Sequence, residues 1–322
     1  LKKYFPVKEG FFNTKVGDVK ALDEVSFDVK AGETFGIVGE SGCGKSTLAR
    51  CLIRLEQADA GTIFFNGENW LDLKETALRE KRIHMQMIFQ NPYASLNPRL
   101  RVGQAIGEPL EIFKRATGQA LRQEILSLLD MVGLPASLID RFPSELSGGQ
   151  RQRVCIARAL ALRPKLIIAD EAVSALDVSV QAQVLNLMES LKKDLGLTYI
   201  FIAHNLSVVQ HFCDRVGVMY LGKMMEVGTT AAIFETPQHP YTQALLSAMP
   251  IADPTLARAM RAQRHPLKGE LPSPMNPPAG CRFHTRCPQA YAPCSSDEPL
   301  LRQVGTPDTP HLSACHLNDE EP

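Results

Sequence analysis

The stretch Gly39-Glu40-Ser41-Gly42-Cys43-Gly44-Lys45-Ser46 fits G-x-x-x-x-G-K-[ST] and constrains this chain more than any other feature. Such a segment needs a short apolar strand before it and a helix after it. Its backbone amides can then cradle phosphate oxygens at a helix N-terminus. Phe35-Gly36-Ile37-Val38 supplies the strand, and Ser46 to Leu55 reads as the helix. Lys45 would reach the β and γ oxygens of a nucleotide, and Ser46 would hold Mg²⁺. Gly39, Glu40, Ser41, Gly42, Cys43, Gly44 and Thr47 complete the candidate phosphate-binding loop.

The remaining pattern is that of an α/β protein. Leu22 to Val29, Thr62 to Asn66, Ile83 to Gln90, Leu166 to Asp170, Thr198 to Ala203 and Val216 to Leu221 read as strands. Leu121, Ile125, Leu128, Leu129 and Val132 recur at helical spacing, as do Val154, Ala157, Leu160 and Ala161. Val180, Val184, Leu187 and Leu191 predict one face of a further helix that Gly196 stops, and a short helix is expected near Leu206 to Phe212. Alternation of this kind predicts a largely parallel sheet with helices on both faces. Past about Thr236 the texture turns to Pro, His and Cys and reads as a mostly extended tail. This predicts a nucleotide-binding domain over 1–235, with a helical part at about 91–163, and an appendage over 236–322.

Lys+Arg and Asp+Glu cancel at 35 each, so the overall charge gives no reason to expect a nucleic-acid partner. Apolar runs such as Leu197 to Ala203 are strand-sized, well short of the ~20 residues that cross a bilayer. No secretory leader is recognised at the amino end, and an opening Leu1 implies residues before it. A cytosolic chain is expected, with any membrane-spanning part supplied by other chains.

Three further segments give the phosphate loop a context. Leu166 to Asp170 is an apolar strand ending in a carboxylate, a Walker B pattern in which Asp170 would bind Mg²⁺ through water. Glu171 beside it would polarise an attacking water. Leu146-Ser147-Gly148-Gly149-Gln150 opens a helix, and His204 closes a strand. A lone histidine there is ordinarily structural, and Asp-Glu pairs are commonly solvated surface; it is the set in this order that argues for chemistry. That set resembles the ATP-binding-cassette (ABC) ATPases.

The resemblance implies a P-loop NTPase (RecA-like) cassette with an antiparallel β subdomain and a helical signature subdomain. It also implies roles. Gln90 matches the glutamine that senses Mg²⁺ and the nucleophilic water, and His204 the switch histidine at the γ-phosphate. Asp177 ends the loop Ser174-Ala175-Leu176-Asp177 that crosses to a partner ATPase. Phe5, or alternatively Tyr4, sits where the family stacks an aromatic ring on adenine; a core or edge aromatic is the plainer reading. Ser147, Gly148, Gly149 and Gln150 match the signature that caps ATP held by another subunit. Two departures stand out: Ala172 occupies a position where Pro commonly follows the glutamate, and Asn205 one where Asp often follows the histidine.

Phe89 to Arg99, Val173 to Gln183, His239 to Leu246, Glu270 to Pro274 and Pro277 to Cys281 narrow the resemblance to bacterial dipeptide and oligopeptide importers, most of all the second of the two unlike ATPases in a dipeptide permease. This implies a peripheral subunit on the cytoplasmic face of the bacterial inner membrane. Its partners would be a sister ABC ATPase in a heterodimer, two transmembrane permease subunits and an extracytoplasmic peptide-binding protein. Importers of nickel or haem, and a non-transport ABC ATPase acting on nucleic acid or ribosomes, are the alternatives.

Eight cysteines divide evenly. Cys43, Cys51, Cys155 and Cys213 read as small apolar fillers. Cys281, Cys287, Cys294 and Cys315 cluster in an appendage too small to fold on apolar burial alone. A reducing cytosol argues against disulfides. Four thiolates can surround zinc or an iron–sulfur cluster. Their spacing lacks the C-x2-C of structural zinc sites, and the importer family carries a 4Fe–4S cluster in a similar segment. A 4Fe–4S cluster is therefore expected, with zinc and uncoordinated thiols as alternatives; His284 and His316 are alternative ligands or surface residues.

Overall fold

Leu166–Asp170, Thr34–Val38 and Thr198–Ile202 are buried at every position. Strands without polar alternation belong to sheets covered on both faces, as parallel sheets are. The computed structural model describes residues 1–11, 13–249, 269–304 and 310–319. It divides the chain into two units: Leu1–Asp28 with Phe35–Leu71 and His204–Pro322, and Val29–Thr34 with Asp72–Ala203.

In the first unit, Thr34–Val38 lies parallel to Arg215–Tyr220, from Phe35 opposite Arg215 to Val38 opposite Val218. Arg215–Tyr220 turns back at Leu221 and Gly222 into the antiparallel strand Lys223–Thr229. Residues from the far end of the chain extend this sheet: Leu312–Ser313 pairs with Glu226 and Val227, and Arg302–Gln303 pairs with Leu312–Ser313. Two hairpins, Lys3–Glu9 with Thr14–Leu22 and Phe64–Phe65 with Glu68–Asn69, supply antiparallel structure. Glu226 is fully buried and accepts from the backbone N–H of Gln238 (2.7 Å) and His239 (3.0 Å) and from His311 Nε2 (2.6 Å). A carboxylate removed from water needs such partners, and here they staple the segment after residue 236 to the sheet.

In the second unit Met85–Ile88, Leu166–Asp170 and Thr198–Ile202 run parallel in that spatial order. Three helices, Val102–Ile112, Gly118–Met131 and Gly148–Leu160, bury Ile106 and Leu110, Ile125 and Leu129, and Val154 and Leu160 respectively. Helix Val178–Leu195 is capped by Asp177 and ends at left-handed Gly196 (φ 63°). It buries Val184, Met188 and Leu191, so Met188 takes the inward place expected of Leu187.

One expected strand is displaced. Leu22 to Val29 does alternate, but Glu24 takes a left-handed φ of 64° and breaks the extended path, so the ladder ends at Leu22 and Thr14–Leu22 pairs instead. Among the described residues no helix is long and apolar enough to cross a membrane.

Candidate functional site

The phosphate-loop segment is assembled within the first unit. Lys45 is 5% exposed, and its ammonium donates to the carbonyls of Gly39 (2.8 Å) and Glu40 (3.0 Å), which holds it inside the curve of its own loop. Helix Lys45–Leu52 begins at Gly44, which has φ 108° and makes no side-chain cap. A helix start without a capping side chain leaves first-turn N–H groups for an anion. Gly44 is needed on two counts: its φ disfavours other residues, and a Cβ there would lie 2.2 Å from the Ala21 carbonyl. Gly222 N–H donates to the Cys43 carbonyl (2.9 Å) and fixes the loop from below. Burial pushes the Cys43 thiol above its ordinary range, although the nearby Lys45 charge pulls the other way.

Phe5 is half-buried on strand Lys3–Glu9, with the Lys3 ammonium 5.0 Å from its ring centre. Tyr4 is committed elsewhere: its hydroxyl donates to Asp23 (2.5 Å), and burial followed by that bond pushes it up to about 12. Ser41 and Gly42 are exposed, and Ser46 and Thr47 half-buried. His204 is exposed, two residues past Thr198–Ile202, and Asn205 caps helix Leu206–Phe212 by accepting from Ser207 N–H (3.0 Å). An asparagine serves as well as an aspartate in that capping position.

In the second unit Asp170 ends its strand 4% exposed. Glu171 follows with φ 47°, an uncommon conformation for a residue with a side chain, held by its N–H donating to the Ile202 carbonyl (2.9 Å). Gln90 Nε2, 81 positions away in sequence, donates to the Glu171 carboxylate (2.8 Å). Gln90 can hold this place because strand Met85–Ile88 pairs directly with Leu166–Asp170, and Asn91 then starts helix Pro92–Ser95. Ala172 is buried without a proline's rigidity. Asp177 accepts from Val180 N–H (3.0 Å) and Ser179 (2.7 Å), and the backbone bond above all holds its carboxyl below the usual range.

The helix start at the signature segment has a different design. Ser147 Oγ accepts from Gln150 N–H (3.3 Å), and Gln150 Oε1 accepts from Ser147 N–H (3.0 Å), a reciprocal capping box. Gly149 lies so close to helix Val178–Leu195 that a Cβ would meet Val180 at 2.5 Å. Arg151 is buried beneath, its guanidinium 4.1 Å from the Tyr93 ring.

Cys281, Cys287, Cys294 and Cys315 come into one neighbourhood. Burial first, then mutual charge, pushes Cys281 up to about 11 and Cys315 up to about 12. Cys281 N–H donates to the Cys294 carbonyl (2.9 Å). The donor type suits iron–sulfur or zinc; the arrangement does not, because no group of three or more His, Cys, Asp or Glu among the described residues could hold an ion. Sequence reasoning missed Tyr241, Arg282 and Arg286, whose partners lie far away in the chain: Glu40 for Tyr241 and Arg286, Asp23 for Arg282. The only sequence signal was the choice of two arginines inside a cysteine-flanked turn.

Comparison with known proteins gives these segments a context. The ABC transporter family matches residues 22–174, and the oligopeptide/dipeptide transporter C-terminal region matches 225–294. The oligopeptide transport ATP-binding protein AppF of Bacillus subtilis is 54% identical over 98% of this chain and 95% of its own length. The dipeptide transport ATP-binding protein DppF of Escherichia coli is 50% identical over 100% and 93%. Among solved structures, the ATP-binding cassette MJ0796, in a dimeric post-hydrolysis state with ADP and Pi, is 29% identical with a TM-score of 0.64, over 71% of this chain and 96% of that one.

Proposed function

Because the chain belongs to the ATP-binding subunits of oligopeptide and dipeptide ABC transporters, we propose that it hydrolyses ATP to power import of short peptides through a membrane complex. The observation that carries this reading is the 2.8 Å Gln90–Glu171 contact, which joins the two residues with the best-defined catalytic roles in the motif set. Lys45 and Ser46 take the phosphate and Mg²⁺ contacts, with Gly39, Glu40, Ser41, Gly42, Cys43, Gly44 and Thr47 forming the loop. Asp170 would help hold Mg²⁺, which would supply charge neutralisation at the phosphates. Glu171 accepts a proton from the attacking water that Gln90 orients, His204 meets the γ-phosphate, and Phe5 stacks on adenine. Phosphoryl transfer of this kind depends on positioning and charge stabilisation more than on covalent chemistry.

Ser147, Gly148, Gly149, Gln150 and Asp177 serve a nucleotide held by a sister ATPase, so the working unit is a heterodimer beneath two permease subunits at the cytoplasmic membrane face, supplied by a peptide-binding protein. The capped signature helix supports this, since its shape needs no ligand from its own chain. The chain divides functionally into a cassette over 1–235, its helical part at about 91–163, and an extension over 236–322. Cys281, Cys287, Cys294 and Cys315 are the thiols that would hold a 4Fe–4S cluster, with zinc as the alternative; the donor type supports it, although the described residues are not arranged to hold an ion. Absence of a band near ~400 nm and of acid-labile iron in an anaerobic preparation contradicts the cluster.

Glu171→Gln tests the catalytic reading. It removes the base while keeping the hydrogen bond to Gln90, so turnover should fall at least about 100-fold with ATP still bound. Undiminished turnover would remove Glu171 from the mechanism.

A further inference from the structure

The phosphate loop of this chain is held by residues from the far end of the sequence. Arg286 places its guanidinium on the Glu40 carboxylate with two bonds, 2.6 and 3.1 Å, and adds a third to the Tyr220 hydroxyl at 3.2 Å. The side chain of Arg286 is only 6% exposed and that of Glu40 26%, so the pair is partly shielded from water. Two-pronged pairing of this kind fixes direction as well as distance. The backbone N–H of the same Glu40 donates to the hydroxyl of fully buried Tyr241 (2.9 Å). Tyr241 in turn packs on Tyr220 and Phe283, with ring centres 4.6 and 5.3 Å apart. Glu40 is thus gripped at backbone and side chain by the extension, and its carbonyl is one of the two that hold Lys45.

The turn that carries Arg286 also carries Arg282, which is paired with Asp23 and donates to the Leu221 carbonyl (3.1 Å). Asp23 accepts from Tyr4, the neighbour of Phe5. One cysteine-flanked turn therefore reaches both the phosphate loop and the strand bearing the adenine candidate.

We infer that Arg286, together with Tyr241, is a positioning residue for nucleotide binding: it sets the phosphate loop through Glu40, which makes the C-terminal extension part of the nucleotide site. This rests on the reading of Gly39 to Ser46 as the ATP loop. A group that shapes the receptor before binding acts on ground and transition states alike, so it alters KM more than kcat.

The test uses the full chain, with a fluorescent ATP analogue and Mg²⁺ for binding, and the same chain assembled with its sister ATPase for turnover. Arg286→Gln should weaken nucleotide binding about tenfold and raise KM similarly, with kcat within about twofold. Arg286→Lys, which keeps the charge but loses the fork, should recover part of the affinity. Glu40→Gln, a second variant on the loop side, should weaken binding similarly, and the double variant should be no worse than Glu40→Gln alone. A lowered Tm with unchanged affinity in the folded protein would mean that Arg286 is only a staple, and overturns the proposal, as would additive losses in the double variant. Failure of the wild-type chain to bind nucleotide would remove the underlying ATP-loop reading as well.

Discussion

The helices that follow the phosphate loop and the signature segment both start at glycines, and their first turns are built to opposite specifications. Helix Lys45–Leu52 starts without a capping side chain, on a left-handed glycine, with its lysine turned into the loop. Helix Gly148–Leu160 starts with a capping box that satisfies its own end, beside exposed Ser147. An uncapped end leaves donors for a ligand, whereas a capped one keeps its shape alone. The difference suits the two tasks proposed for them: one receives the nucleotide of its own chain, and the other waits for a nucleotide brought by a neighbour.

The change expected to break this contrast most severely is Gly44→Ala. The added methyl group cannot fit 2.2 Å from the Ala21 carbonyl, and φ 108° strains any side chain. We expect a loss of roughly 3 kcal/mol or more in stability, with nucleotide binding abolished, by denaturant titration and equilibrium binding.

Acid should loosen the phosphate-loop region next. His239 caps helix Pro240–Ser247 and is held, by burial above all, at about 4 rather than 6.5. The folded form keeps it neutral while the unfolded chain gains the proton, so this contribution is complete above about pH 6.5 and is lost as pH falls towards 4. The loss is at most about 3 kcal/mol, and His239→Asn, which keeps a capping acceptor without titrating, should flatten it in urea titrations across that range.

The smallest effect is expected at the signature. Ser147→Ala removes one cap and should cost about 1 kcal/mol in urea titration, with the chain's own affinity for nucleotide unchanged. Weakened binding by the isolated chain would erase the distinction between the two helix starts.

What the sequence made legible follows the range of the interactions involved. The phosphate-loop strand and helix, the Leu206–Phe212 helix and the buried Leu166–Asp170 strand rest on local patterning and were readable. Gln90 and Glu171 could be nominated by resemblance, but their contact depends on strand pairing that no local signal encodes. Hidden too was the left-handed φ of Glu24, which moves a strand, because nothing in the side chain announces it. The extension was least legible. Its short strands Arg302–Gln303 and Leu312–Ser313 have almost no periodicity, and Glu226, Tyr241 and Arg286 acquire meaning only through partners distant in the chain.

The most direct measurement is ATP turnover per chain as a function of protein concentration, in the presence and absence of the sister ATPase. Dilute, monomeric chains should show negligible turnover, with a steep rise as partners assemble. Full turnover by a chain shown to be monomeric, independent of concentration and of added partner, would contradict that expectation.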